Sequence, residues 1–348
     1  MAGPTHSSTL RVRAGRRVEP ADHRRPRRIG SRPLVPSRLA PGGLTGNADR
    51  PGNTNGPRPA PSSTLGAYVA LTKPRIIELL LITTIPTMVL AERGWPSIRL
   101  MIVTLVGGTL AASGANAINM YVDRDIDAKM RRTQNRPLVS GAIAPSNALV
   151  FAVALEVVAF AVLWAGANLL SAVLALSATA FYVGVYTLWL KRTSRHNIVV
   201  GGAAGAVPVL VGWAAVTDSM SWAPIVLFSA MFFWTPPHFW ALAIRYADDY
   251  RAADVPMLPA VVPMRDAAKQ MVVYTVALVA STLVLAPVAD LGWIYLAAAL
   301  LLGAGFLVGT VALAARPTPA ASMKVFAYSI TYVSVLFGAM MVDVLVIS

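Results

Sequence analysis

Nine apolar stretches of roughly membrane-crossing length follow one another along the chain: 76–91, 98–118, 147–166, 169–189, 197–213, 223–243, 270–287, 291–313 and 325–346. A bilayer core takes about 17–25 apolar residues in helical form. Inside it every peptide group must find a partner within its own segment, so a chain built from such stretches is confined to helices. The first stretch is short and holds Pro86, which membrane helices tolerate. The expected fold is an all-α polytopic membrane protein with nine transmembrane helices.

Composition agrees. Only 13% of the 348 residues are charged and 56% are hydrophobic, with a mean hydropathy of +0.59. A soluble domain carries about 25% charged residues. The apolar content rules out a soluble nucleic-acid-binding protein, despite a formal charge of +14. Cysteine is absent, which excludes disulfides, thiolate metal sites and cysteine nucleophiles.

Much of the charge lies before the first apolar stretch. Residues 1–60 hold 12 arginines against Glu19, Asp22 and Asp49, a net +9, among many Pro, Gly, Ser and Asn. Such a segment cannot bury enough apolar surface to order itself. Residues 1–62 therefore read as a disordered basic tail, with no apolar core of a secretory signal, and residues 65–346 as the membrane domain. With the N-terminus inside and nine crossings, the inner loops beyond residue 60 carry sixteen Lys and Arg and the outer loops only Arg93 and Arg99. This positive-inside bias puts the N-terminus in the cytoplasm of a multi-pass plasma-membrane protein. The two long inner loops, 119–146 and 244–269, follow the second and sixth stretches. Their spacing suggests two related four-helix units after one extra helix.

These loops hold most of the acids outside the tail. The first begins ANAINMYVDRDIDAKMRRTQNRPL (115–138). Asn119, Asp123 and Asp127 are four apart and share one face if the helix continues through them. Three converging oxygen donors suit Mg²⁺, a hard cation that retains waters and bridges phosphates. Asp125 points elsewhere and is placed to pair with Lys129. Lys129, Arg132 and Arg136 follow immediately, and guanidinium forks match phosphate oxygens. Acids, metal and cations at the head of an apolar cavity make a diphosphate site. The plainer reading is a salt-bridged helix end with ordinary inner-loop anchoring.

The second long loop, FFWTPPHFWALAIRYADDYRAADVPMLP (232–259), offers Asp248 and Asp249 as a second metal position and Tyr246 and Tyr250 as an aromatic wall. His238 lies within the sixth stretch, where an ionisable residue is either functional or held by a buried partner. A third inner loop, YTLWLKRTSRHNIVVGG (186–202), adds Lys191 and Arg192 for anions. Tyr182, Tyr186 and Trp189 present aromatic faces able to shield a cation.

The strings NMYVDRDIDAKMRRTQNRPL, YTLWLKRTSRHNIVVGGAAGAVPVLVGW, WTPPHFWALAIRYADDY and ADVPMLP, in this order across about residues 65–345, resemble those of the protohaem IX farnesyltransferases, or haem O synthases. These form a branch of the UbiA superfamily of intramembrane prenyltransferases. The resemblance implies nine helices around a lateral cavity open to lipid. It makes Asn119, Asp123 and Asp127 the first Asp-rich motif and assigns Asp248 and Asp249 to the second. It also implies Mg²⁺, farnesyl diphosphate as donor and protohaem IX as acceptor substrate, giving haem O. Proteins that modify the haem further or assemble an oxidase would be downstream partners. Relatives of this kind often read KDDYRRAGIPMLP, so Ala247 replaces a Lys and Asp254 a Gly. Two other readings stand beside it: a prenyltransferase for a quinone-type aromatic acceptor, and an ion-coupled secondary transporter, whose acids would sit near the bilayer midplane.

Overall fold

The structure, a computed structural model, describes residues 63–347, and for residues 75–81 it describes the backbone alone. The basic tail expected over residues 1–62 lies outside the described residues. The elements are α1 (Thr64–Thr72), α2 (Pro74–Glu92), α3 (Ile98–Val122), α4 (Arg124–Lys129), α5 (Pro145–Gly166), α6 (Leu169–Thr193), α7 (Asn197–Thr217), α8 (Trp222–Arg245), α9 (Ala247–Ala252), α10 (Leu258–Val261), α11 (Met264–Val288), α12 (Trp293–Ala315) and α13 (Pro319–Ile347). Among the described residues there is no strand. Eight of these helices are long and apolar enough to cross a bilayer. In α2 the shorter stretch Ile82–Glu92 is apolar.

The long helices pack in chain order: α3 on α5, α5 on α6, α6 on α7, α7 on α8, α8 on α11, α11 on α12 and α12 on α13. α2 closes the series, packing on α13, α3 and α7, and α8 also reaches across to α13. Val150, Val157, Leu301 and Val308 face outward, as apolar residues do in lipid, while Trp240, Phe306, Tyr332 and Phe337 fill the interior.

Side-chain contacts to helix termini fix one end of the bundle. Asn168 accepts the Ser171 N–H at 2.8 Å to start α6 and donates to the last turn of α7, at Ala214 O, 2.6 Å away. Asp343 of α13 reaches the first turn of α12, accepting from Gly292 N at 2.5 Å and Tyr295 N at 3.0 Å. Arg93 donates to Ala289 O at 2.7 Å. The opposite end, where α3, α6 and α8 finish and α13 begins, carries the two long loops.

Prolines lie inside four helices without ending them: Pro86 in α2, Pro208 in α7, Pro236 and Pro237 in α8, and Pro287 in α11. In α6 the residues Phe181–Leu190 form ten residues of wider π-helix, a rare conformation that concentrates at functional sites. Thr187 Oγ1 bonds back to Tyr182 O at 2.9 Å within this stretch.

Candidate active site

α3 ends at Val122, and Asp123 takes φ −86 and ψ 4 before α4 resumes. The four-residue register survives the bend, because Asp123 N bonds Asn119 O at 2.9 Å and Asp127 N bonds Asp123 O at 2.8 Å. The spacing therefore does bring Asn119, Asp123 and Asp127 to one face, and all three are buried.

Buried charge is costly unless paired, and cations from three separate segments meet these groups. Asp123 is fully buried and pairs through Oδ2 with Lys191 Nζ. Asn119 Nδ2 donates to the same Oδ2 at 2.7 Å and to Thr187 Oγ1 at 3.2 Å. Arg192 Nη2 lies 3.8 Å from Asp123 Oδ1. Arg136 reaches Asp127 Oδ2 at 2.5 Å, and Thr133 Oγ1 donates to Asp127 O at 2.8 Å, which folds the loop back on its own acid. Asp125 is paired with Arg192, by two bonds of 2.7 Å, rather than with Lys129. It faces the end of α6, and the Arg192 hydrogen bonds hold its carboxyl down at about 2.

Lys73 completes the set. It stands in the left-handed conformation between α1 and α2, at φ 51, and its Nζ donates to Asn119 Oδ1 at 2.9 Å. Burial, then the neighbouring Arg136 and Lys191, pull its ammonium well below the usual lysine range. In the sequence Lys73 is one inner-loop cation among sixteen, and no spacing connects it with Asn119, 46 residues away.

Beside this cluster the second long loop packs onto the first. Arg132 donates from its backbone N–H to Asp249 Oδ2 at 3.4 Å and from Nη2 to Tyr250 Oη at 3.1 Å. Its guanidinium lies 5.5 Å from the ring centre of Tyr246 and 5.2 Å from that of Tyr250. Tyr250 is buried, which raises its phenol above the ordinary value. Asp248 faces solvent, 95% exposed, and pairs with Arg251 at 2.5 Å. Lys129 is exposed and pairs with Asp254 at 3.5 Å. Among the described residues, no three His, Asp or Glu side chains stand close enough to cage a metal on their own.

Below the cluster opens a cavity of about 330 Å³. Ala111, Ala115 and Asn116 of α3, Tyr182 and Tyr186 of α6, and Gly201 and Gly205 of α7 are part of its wall. Asn116 lies one turn before Asn119, so polar head and apolar cavity are continuous. The two tyrosine rings stack at 5.4 Å. Tyr186 comes so close to Gly201 that a Cβ there would overlap its ring. These small residues read in sequence only as apolar spans.

His238 lies apart, in the seam between α8 and α13. It stacks on Trp234 at 4.1 Å and meets Phe326 at 4.8 Å. Ser329 Oγ gives its proton to Phe326 O at 2.6 Å, so at 2.6 Å it accepts from His238 Nδ1. This network assigns the proton to Nδ1 and leaves Nε2 as an acceptor.

The metal expectation can be tested on the cluster itself. Asp123 Oδ1 is buried and has no hydrogen-bond partner. Asp127 supplies a second carboxylate, and the Asn119 amide oxygen, now accepting from Lys73, is a third oxygen donor; such side chains suit a hard divalent cation.

The family model of the UbiA prenyltransferase family matches residues 80–336. A protein of Pseudarthrobacter chlorophenolicus named protoheme IX farnesyltransferase is 53% identical over 282 residues, covering 80% of this chain and 88% of that one. A protein of the same name from Streptomyces avermitilis is 52% identical over 283 residues, covering 80% and 93%. Among solved structures, a UbiA homologue of Archaeoglobus fulgidus bound to DMAPP and Mg²⁺ superposes with a TM-score of 0.55 at 19% identity, over 78% of this chain and all of that one.

Proposed function

The chain belongs to the UbiA prenyltransferase family, and we propose that within it the protein transfers the farnesyl group of farnesyl diphosphate to a vinyl group of protohaem IX, giving haem O and diphosphate. The observation that carries this reading is the cluster of buried acids and cations set directly over an apolar cavity, in a chain half identical to relatives bearing that activity in their name.

Asn119, Asp123 and Asp127 would hold Mg²⁺, with water and diphosphate oxygens completing its shell. When bound, the metal neutralises charge that develops on the leaving group. The protein's own cations do the same from fixed positions: Lys73, Arg136, Lys191 and Arg192 surround the acids and present N–H groups to diphosphate oxygens. Arg132, on the first loop and held over Tyr246 and Tyr250 of the second, closes the site where the two loops meet. Asp249 works through it, by fixing its backbone, while Asp248 and Lys129 sit at the outer rim.

The farnesyl chain lies in the cavity. As the bond between its C1 and the diphosphate oxygen breaks, positive charge spreads along the allylic carbons under the stacked faces of Tyr182 and Tyr186. The apolar walls keep water from that cation. The terminal vinyl carbon of the haem then bonds to C1, the positive charge passes to the carbon attached to the macrocycle, and water captures it with release of one proton. His238, packed between Trp234 and Phe326 and held through Nδ1 by Ser329, would offer the acceptor its Nε2 as a hydrogen-bond acceptor.

The contact order supports two four-helix units, α3, α5, α6 and α7 against α8, α11, α12 and α13, with α2 between them as the ninth crossing. The basic-residue count supports a cytoplasmic N-terminus and active site in the plasma membrane.

The test is a mass measurement. Detergent-solubilised protein given protohaem, Mg²⁺ and farnesyl diphosphate is expected to add the masses of farnesyl and hydroxyl to the haem. With 4-hydroxybenzoate present as a competing acceptor, haem is the molecule modified. Prenylation of the benzoate instead, by folded protein, overturns the acceptor assignment.

A further inference from the structure

At the same end of the bundle as the acidic cluster, but on another face, α12 and α13 part around a second cleft of about 540 Å³. Buried Phe306, Leu313 and Val325 contribute its apolar lining. Small residues make the room: Gly309, Ala312 and Ala321 face it, and a Cβ on Gly309 would meet nothing nearer than Val325 at 3.8 Å. Tyr328 lies across Gly305 at the deep end, its hydroxyl bonded to Leu302 O at 3.0 Å. Two exposed cations, Arg316 and Lys324, stand among the lining residues near the helix ends.

Neither cation is paired with a carboxylate among the described residues, whereas most of the cations around the active site are. The C-terminus of α12 favours a positive charge at Arg316. It gives no reason for Lys324, near the N-terminal end of α13, where the helix dipole favours anions. Inner-side location accounts for the sign of both charges but not for an apolar cleft between them. The flanks of the cleft, Leu301, Val308 and Val311, are exposed and apolar, so it is continuous with the lipid-facing surface.

We propose that this cleft binds one anionic phospholipid, its phosphate on Arg316 and Lys324 and an acyl chain running over Gly309 toward Tyr328. Charge complementarity at the mouth and an apolar groove opening on lipid match that molecule. A basic pocket between two membrane helices at the cytoplasmic side is the usual form of such a site.

The experiment is native mass spectrometry of the full chain taken from nanodiscs of phosphatidylcholine with or without phosphatidylglycerol. One phosphatidylglycerol per chain is expected to survive delipidation. The R316A/K324A double variant lowers that retention by about tenfold or more. G309L, which fills the groove without changing charge, also removes the lipid. Both variants keep farnesyl transfer, because no residue of the reaction is touched, and transfer reports that they are folded. Equal retention of phosphatidylcholine, retention unchanged in both variants, or haem rather than lipid held at this cleft would each overturn the proposal.

Discussion

Lys73 Nζ donates to Asn119 Oδ1 at 2.9 Å, tying the start of α2 to the first motif's amide. A buried ammonium with Arg136 and Lys191 for neighbours is poised to take an anion that relieves their repulsion. The Lys73→Met variant is expected to lose roughly 10²-fold in turnover, the scale for losing one fixed donor to a developing negative charge. Lys73→Arg retains more. Steady-state kinetics on the two variants check this, with melting curves to show that both fold.

Asp123 and Asp125 stand two residues apart and share Arg192, yet their substitution separates catalysis from surface pairing. Asp123→Asn leaves Lys191 buried without its anion. It is expected to cost about 3–5 kcal/mol of stability and nearly all turnover. Asp125→Asn removes a half-exposed pair, a change of about 1 kcal/mol or less, and leaves turnover within a few-fold of normal. Chelation of Mg²⁺ is expected to abolish transfer, and Mg²⁺ to restore it. Normal turnover of the Asp123→Asn protein at ordinary Mg²⁺ would remove Asp123 from the metal set.

Gly201 and Gly205 are one turn apart on α7 and both line the cavity, but they face different surroundings. A methyl at Gly201 runs into the Tyr186 ring, whereas at Gly205 it meets nothing within 4 Å. Gly201→Ala is expected to displace that wall, at about 1–3 kcal/mol for overpacking, and to raise KM for farnesyl diphosphate. Gly205→Ala is expected to stabilise the helix by about 0.5–1 kcal/mol while narrowing the cavity. Its preference then moves toward the shorter geranyl diphosphate. Competition between the two donors reads this directly.

The contrast between those glycines explains what the sequence could and could not disclose. Helix positions follow from hydrophobic run length, which bilayer thickness sets. The convergence of Asn119, Asp123 and Asp127 follows from local four-residue spacing, which survives the bend at Asp123. Pairing partners are another matter. Asp125 has Lys129 at helical spacing but bonds Arg192, 67 residues away, because the end of α6 comes to that face. Lys73 reaches Asn119, and Gly201 makes room for Tyr186, through helix packing that no local pattern encodes. Asp248 and Asp249 are adjacent, and only Asp249 turns toward the first loop, since neighbours in a helix point about 100° apart.

Asp254 shows what a departure from the usual residue does. Its φ of 56 is left-handed, where glycine has no steric cost and aspartate a moderate one. Its carboxylate meets Lys129 at 3.5 Å, an exposed pair of little value. Asp254→Gly relieves the backbone and loses only that pair. The expected result is stability unchanged or raised by about 1 kcal/mol, with transfer unaffected. A drop in melting temperature would mean that the Lys129 contact holds the two loops together.

Asp343 is fully buried at the other end of the bundle, far from every residue assigned to the reaction. It caps α12 from α13, accepting from Gly292 N and Tyr295 N, so it satisfies two N–H groups that the first turn of α12 leaves without partners. A carboxylate there also meets the positive end of the helix dipole. Asp343→Ala strips both acceptors from a buried helix start, and hydrogen bonds to a charged group are worth about 1.5–3 kcal/mol each. Asp343→Asn keeps one acceptor oxygen and loses the charge, so its cost is the smaller. Thermal unfolding in detergent is expected to rank the proteins native, Asp343→Asn, Asp343→Ala, with turnover per folded molecule equal in all three. Loss of turnover at full stability would instead tie this end of α12 and α13 to the catalytic cluster.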